Sequence, residues 1–393
     1  MRIVLAPDKF KGSLSAPEVA GHLRIGLLRV VPDSDILEVP VADGGEGTVD
    51  AAVAAGYERR YFPVTGPTGE PVSAAVAVRG HQAVVEMAAA SGLAVLPGGT
   101  LDARGASSVG TGQLIAAALD LGCTEVVLGV GGSASTDGGA GLLVGLGARL
   151  LDEEGAVLAP GGAALARLTR IDLSGLDPRL PSAKFILASD VDNGLLGAGG
   201  AAAVFGPQKG ASADDVRDLD AALGHFVQVL GNEIGQAAID VASRPGAGAA
   251  GGTGYAAMVL LDAERRPGVD VVLEFTGFAG HLEGADLVVT GEGSLDEQTL
   301  LGKTPVGVAR AAAAASIPVL AVCGRSLLSA DELIAAGFDR TYALTDLERD
   351  VATCMADAGP LVERVGELVG AYLLASKPVG TSATSVSRQQ GTS

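Results

Sequence analysis

A chain of 393 residues is long for one hydrophobic core, and with 48% hydrophobic residues it can fill two. Its 46 acidic residues against 27 basic ones leave a formal charge of −19, which repels a polyphosphate backbone and argues against nucleic-acid binding. Aromatic residues are 3% and Trp is absent, so the cores must be built from Ala, Val and Leu.

Three cysteines, Cys123, Cys323 and Cys354, stand far apart within apolar patterns, as reduced core thiols of a cytoplasmic protein would. His22, His81, His225 and His281 show no zinc spacing. The chain opens directly on an apolar strand, with no signal-peptide pattern. Its longest apolar run, Ala311 to Val322, is too short to span a bilayer and contains Pro318, so no membrane segment is expected.

In chain order, Arg2–Ala6 reads as a buried strand that ends in a loop carrying Asp8, Lys9 and Lys11. Ser15-Ala16-Pro17-Glu18 has the spacing of a capping box and opens a helix to about Val31. A second strand, Ile36–Pro40, runs into Asp43-Gly44-Gly45-Glu46, where Asp43 and Glu46 have the spacing of a helix cap. Strand, charged glycine loop and helix thus occur twice in fifty residues, which is the grammar of a parallel sheet.

The pattern then changes. Tyr61–Val64, Val72–Val78 and Ala83–Met87 read as turn-linked strands, and a domain boundary is placed near residue 70. Gly112–Leu121 reads as a helix, Val126–Val130 as a strand and Gly138–Leu150 as a glycine-rich helix. Lys184–Ala188 is a strand, Asp214 to Ile234 an acid-rich helix, Gly246–Gly254 a tight loop into a buried helix, and Val269–Glu274 a strand. From Ala285 the parallel grammar returns with strand 285–289, helix 305–315, strand 317–322, helix 330–336, strand 340–344 and helix 360–374. Between the first two lies Thr290-Gly-Glu-Gly-Ser-Leu-Asp, read as a glycine-rich turn that handles anions. Gly302-Lys303-Thr304 is not a Walker A ending, because position 297 holds Glu where that motif needs Gly. The tail 377–393 is expected to be disordered.

Six segments, in order and in register, resemble the bacterial glycerate kinase family: A-P-D-K-F-K-G-S-L-S-A at 6–16, A-D-G-G-E-G-T at 42–48, G-G-S-A-S-T-D-G-G at 131–139, D-V-D-N at 190–193, F-G-P-Q-K-G-A at 205–211 and G-E-G-S-L-D-E-Q-T at 291–299. The resemblance covers about residues 1–375. It implies an α/β protein of two α/β domains: a flavodoxin-like one made from both chain ends (1–70 plus 285–376) and an inserted mixed-sheet one (71–284). It implies a cleft between them, ATP as co-substrate, Mg2+ as cofactor and D-glycerate as acceptor, with 2-phosphoglycerate preferred over 3-phosphoglycerate. A homodimer is kept open. Three positions depart from the family pattern: Thr136 stands where Asn is common, Gly194 where Pro is, and Ser294 where Arg is, the last removing a cation.

Phosphoryl transfer to a hydroxyl needs positioning, cations on the phosphates and a group to take the proton. Lys11 is the first cation, with Ser13 in the same loop, while Lys9 reads as solvent-facing. Asp43 is a catalytic, metal or substrate contact; Gly44 and Gly45 suit a ligand that approaches the backbone. Gly131, Gly132 and Ser133 with Asp137 resemble a phosphate cradle, and Lys209 is a candidate phosphate cation. Asp190 and Asp192 point to one side of an extended segment, so Asp190 is the general base or shares Mg2+ with Asp192. Glu292 and Asp296 are metal candidates, beside Gly291, Gly293 and Lys303 as phosphate contacts. The alternatives are a kinase of another small hydroxy acid, an oxidoreductase (although no G-x-G-x-x-G opens a helix with an acid about twenty residues on) and a two-lobed solute-binding protein.

Overall fold

The computed structural model describes residues 1–376; the tail segment 377–393 lies outside the described residues. The chain begins with β1 (Arg2–Pro7), α1 (Ala16–Val30), β2 (Asp35–Glu38), α2 (Thr48–Ala54), β3 (Glu58–Thr65), β4 (Pro71–Arg79) and β5 (Gln82–Glu86). It continues through α3 (Val109–Asp120), β6 (Glu125–Gly129), α4 (Ala140–Gly145), β7 (Arg149–Leu151), β8 (Arg170–Asp172), β9 (Lys184–Ala188), α5 (Ala213–Ile234), α6 (Ala249–Leu260), β10 (Glu264–Arg266) and α7 (Gly268–Phe275). The C-terminal part is β11 (Leu287–Leu295), α8 (Thr304–Ala314), β12 (Val319–Ser326), α9 (Ala330–Ala335), β13 (Arg340–Ala343), α10 (Val351–Ala356) and α11 (Ala358–Ser376).

Two large sheets result. The first, ordered β13-β12-β11-β1-β2, is parallel throughout and draws its strands from both chain ends. The second, β10-β9-β6-β5-β4-β3, is mixed: β3, β4 and β5 are antiparallel and the rest parallel. Because β3 pairs with β4 along its whole length, the change of sheet comes between β2 and β3, ahead of residue 70.

The molecule is layered. On the outer face of the first sheet, α1 and α11 bury Val19, Leu23, Leu27, Val362, Val365 and Val369 against Ile3, Leu5 and Val289. Close approach of these helices depends on small residues: a Cβ at Gly26 would lie 1.9 Å from the Glu363 carbonyl oxygen. The inner face packs against Ala51, Val272 and Val308 of α2, α7 and α8, and the same cluster takes in Ala75, Val84, Val127 and Ile186 of the second sheet. One apolar layer therefore joins the two sheets. The opposite face of the second sheet carries the largest cluster, with Leu114, Leu142, Phe226 and Tyr255.

Several expected elements differ. Segment 269–274, rich in Val, is the helix α7: Val269, Val271, Val272 and Phe275 are buried, and this packing overrides the strand preference of Val. The helix expected over 138–150 ends at Gly145, and Arg149–Leu151 turns back as a strand against β8. Most consequential is β11. Rather than breaking at Thr290, it runs on to Leu295 and stays paired with β12 as far as Ser326. Gly291, Glu292 and Gly293 are thus strand residues and form no turn. A Cβ on Gly291 would lie 1.8 Å from the Val322 carbonyl oxygen, so glycine here serves close strand packing.

Candidate active site

Strand β1 lies between β11 and β2, and the chain leaves β1 and β11 toward opposite neighbours. That is a topological switch point, where the carboxyl ends of parallel strands open a crevice. The crevice is present: a cleft of about 500 Å3 is lined by the loop after β1 (Asp8, Lys11, Ser13), by Asp43 and Glu46, by Gly131 and Gly132 of the second sheet, and by Glu292, Asp296 and Lys303. A second chamber of about 220 Å3 adjoins it, lined by Asp43, Gly45, Gly131, Ser133, Asp190 and Lys303 among others. Asp43, Gly45, Gly131, Gly132 and Lys303 border both spaces.

The loops that form this shared border touch through bare backbone. Gly131 donates its N–H to the Gly44 carbonyl over 3.2 Å, and a Cβ on Gly131 would fall 2.5 Å from the Gly45 Cα. Gly44 has φ +86°, and a Cβ there would be 2.9 Å from the Ala188 carbonyl oxygen. The expectation that these glycines make room for a ligand is corrected in part: they make room for each other's loops.

The expected cap by Asp43 and Glu46 is also replaced. The first turn of α2 is capped from another element, Glu86 at the end of β5, whose carboxylate accepts the N–H groups of Gly47 and Val49 at 3.1 Å each. Asp43 is left half-buried at the cleft, with Oδ1 accepting only the Gly45 N–H at 3.2 Å. Lys9, expected in solvent, bridges the two loops by donating from Nζ to the Glu46 carbonyl at 2.6 Å. Lys11 is exposed at the mouth. Ser13 closes its own turn by donating to the Phe10 carbonyl at 3.0 Å.

Six acidic side chains line the two spaces: Asp8, Asp43, Glu46, Asp190, Glu292 and Asp296. Asp8, absent from the candidates above, is buried; it accepts from the Lys9 N–H at 2.6 Å and from the Thr304 hydroxyl at 2.8 Å. Burial, with Asp43 nearby, pushes its pKa up to about 6. Glu292 accepts the Thr299 hydroxyl, and burial, reinforced by Asp8 and Asp43, raises it to about 7. Asp190 receives the Gly268 N–H, the first amide of α7, on Oδ1 at 2.7 Å. Its other oxygen is buried and, among the described residues, has no hydrogen-bond partner, and burial lifts its pKa to about 7. The sequence signal for Asp8 is an acid directly after the first strand, in the most specific of the six segments.

Other candidates lie elsewhere. Asp192 is exposed and ion-paired with Arg265 at 2.6 Å, so it and Asp190 hold different partners and the expected shared cation has no basis in their geometry. Asp296 caps the turn that follows it, with Oδ1 accepting from the Gln298 N–H at 2.9 Å. Asp137 lines neither space: its carboxylate is buried beneath the Ser108 N–H and hydroxyl at 2.8 Å each and the Gly139 and Gly141 N–H groups. It fastens α3 to α4. Lys209 is likewise buried, donating to the Ser133 hydroxyl at 2.9 Å and to the Ser135 carbonyl. Burial drives its pKa down to about 7. It supports the Gly131–Ser133 loop from behind and offers no charge to the cleft. Lys303 precedes α8, donates to Gln298 Oε1 at 2.9 Å and faces both spaces.

Among the described residues no group of three or more His, Cys, Asp or Glu side chains forms a metal cage. A Mg2+ ion needs no such cage, because one or two carboxylates share it with substrate phosphates. Of the half-buried carboxylates on the cleft wall (Asp43, Glu46, Glu292 and Asp296), Asp43 and Glu292 would suit such a shared ion.

The sequence profile of the "Glycerate kinase family" matches residues 3–374. The chain is 43% identical to a "Glycerate kinase" of Bacillus subtilis (strain 168), over 96% of this chain and 99% of that protein. It is 46% identical to the "Glycerate 2-kinase" of Escherichia coli (strain K12), over 82% of this chain and 85% of that one. A crystal structure from Salmonella typhimurium LT2, provisionally assigned as glycerate kinase 2, superposes with a TM-score of 0.81 at 41% identity, covering 95% of this chain and 98% of that one.

Proposed function

The chain belongs to the glycerate kinase family and is an ATP-dependent kinase; from that premise we propose that it transfers the γ-phosphoryl group of ATP to the 2-hydroxyl of D-glycerate, giving 2-phosphoglycerate and ADP. The observation that carries this reading is the pair of adjoining spaces with a common border of Asp43, Gly45, Gly131, Gly132 and Lys303. A phosphoryl donor in the larger space and a small acceptor in the smaller one would meet at that border.

Asp190 belongs to the smaller space. Its Oδ1 is held by the Gly268 N–H, which leaves Oδ2 to accept the proton of an acceptor hydroxyl as the new O–P bond forms. Lys303, between the two spaces, suits either the acceptor carboxylate or the charge that develops on the transferring group. Lys11 at the mouth draws the anionic donor toward a protein whose net charge would otherwise repel it. Mg2+, held by Asp43 and Glu292 together with donor phosphates, would neutralise phosphate charge there. Without a cation these carboxylates would oppose the donor. Lys209 supports the Gly131–Ser133 wall from behind through the Ser133 hydroxyl. The test is turnover of ATP with D-glycerate, with the product identified by its phosphorus NMR spectrum. Turnover with other small hydroxy acids and none with D-glycerate would reassign the acceptor.

A further inference from the structure

The end of the cleft formed after β13, which meets the loop after β1 (a Cβ on Gly12 would lie 3.2 Å from Met355 Cε), differs in chemistry from the acidic border just described. It is formed by Leu344 and Thr345 after β13 and by Val351, Cys354 and Met355 of α10. Leu344 and Cys354 are buried, whereas Val351 and Met355 stand 46% and 47% exposed on the lip. Two exposed aliphatic side chains on a cleft wall are a surface that gains by being covered by a flat apolar ligand.

Arg325 stands between this apolar end and the strand that carries Glu292. In the parallel pairing of β11 and β12 it lies level with Ser294, and its Nε donates to the Ser294 hydroxyl at 3.3 Å. It is exposed on the cleft and, among the described residues, makes no ion pair, in a chain with 46 acidic residues. The charge missing at position 294 is therefore supplied from the adjacent strand. A guanidinium with its NH2 groups free at the edge of an apolar slot presents a fork to an oxyanion.

From this juxtaposition we propose that the Leu344–Met355 end of the cleft is the nucleoside-binding end, and that Arg325 holds the phosphate chain where it leaves that slot toward Lys303. The proposal rests on the kinase reading for the identity of the nucleotide, and it fixes a direction: base against Val351 and Met355, phosphates past Arg325, γ-phosphoryl at the border with the Asp190 chamber. Aspartate at either lip residue puts a hydrated charge where the base would lie, and alanine at 325 removes the fork without touching the slot.

The experiment uses the full chain and a fluorescent ADP, displaced in turn by ADP and by uncharged adenosine. Val351→Asp and Met355→Asp should each weaken both competitors about tenfold, a loss of about 1.4 kcal/mol. Arg325→Ala should weaken ADP about tenfold and leave adenosine within about twofold. The KM for D-glycerate should stay unchanged in all three variants. Unchanged ADP affinity in the aspartate variants, or a change confined to the D-glycerate KM, overturns the slot assignment; equal loss of adenosine and ADP in Arg325→Ala overturns the phosphate role. Nucleotide binding is read without any acceptor, so the slot assignment is decided even if the chain fails to phosphorylate D-glycerate.

Discussion

At the scale of single residues, what separates the cleft carboxylates is what each still has free. Asp8 has partners on both oxygens and Asp296 is committed to a cap, whereas Asp190 keeps one oxygen without a partner. Asn at 190 can keep the bond from Gly268 but cannot take a proton. We expect Asp190→Asn to lower kcat by about 10²- to 10⁴-fold. Its Tm at pH 8 should be equal to or above that of the parent chain, because a buried charge is removed. Parallel losses of kcat and Tm would make Asp190 a structural residue. The raised pKa also sets a pH dependence. Below about 7 the carboxyl of Asp190 is protonated and cannot act as base, so kcat/KM should rise with pH through that region. A flat profile between about pH 6 and about pH 8, about one unit either side of that pKa, would contradict the assignment. Asp190 was legible in the sequence because it closes an apolar strand within one of the six ordered segments, D-V-D-N at 190–193. Arg325 was not, since its relation to Ser294 exists only through the register of two strands about thirty residues apart in sequence.

At the scale of elements, glycines at the site are required by neighbouring backbone. Gly131 and Gly45 form a contact between loops of the two sheets that no side chain can share. Gly131→Ala should therefore destabilise the protein by about 1–3 kcal/mol through overpacking, measurable as a shift of the urea midpoint. It should also lower turnover, because the border between donor and acceptor moves. An alanine variant of parental stability would mean that the loops are not in contact. The alternation of strand and helix at both chain ends was readable, because buried parallel strands are short continuous apolar runs and Ser15–Glu18 announces its helix. The errors came where packing overrode local preference: Val-rich α7 is helical because one face is buried between the sheets, and Gly291–Gly293 stay in a strand because β12 pairs with them. A glycine pair flanking an acid looks like a turn in sequence, and only the neighbouring strand shows it is not.

At the scale of the whole molecule, the fold sets four raised acids, Asp8, Glu86, Asp190 and Glu292, inside a protein of formal charge −19. Each has a folded pKa above its unfolded value of about 4, so the folded state binds more protons between about pH 4 and pH 7. Stability must then fall as pH rises through that window. The ligand-free chain should show a higher Tm at about pH 6 than at about pH 8, and Mg2+ with ATP should narrow the difference by compensating Glu292. A higher Tm at the alkaline value, measured by calorimetry, would contradict this. The layered plan explains why the site was only partly legible. Its walls come from both sheets and six separate stretches of chain (8–13, 43–46, 131–132, 292–303, 324–325 and 344–355), joined through the shared apolar layer of Ala51, Val272 and Val308. The six segments identified the stretches that carry Asp8, Asp43, Gly131 and Glu292 but neither Arg325 nor the 344–355 end, and only the sheet topology brings Asp43, Gly131 and Glu292 to one cleft and leaves Asp137, Lys209 and Asp192 outside it.

The most direct measurement is a phosphorus NMR time course of the purified chain with ATP, Mg2+ and D-glycerate. We predict ADP together with a single phosphomonoester, the doublet of 2-phosphoglycerate in which phosphorus couples to one proton. The triplet-like pattern of 3-phosphoglycerate would overturn the regiochemistry, and release of inorganic phosphate without any phosphomonoester would contradict phosphoryl transfer to glycerate itself.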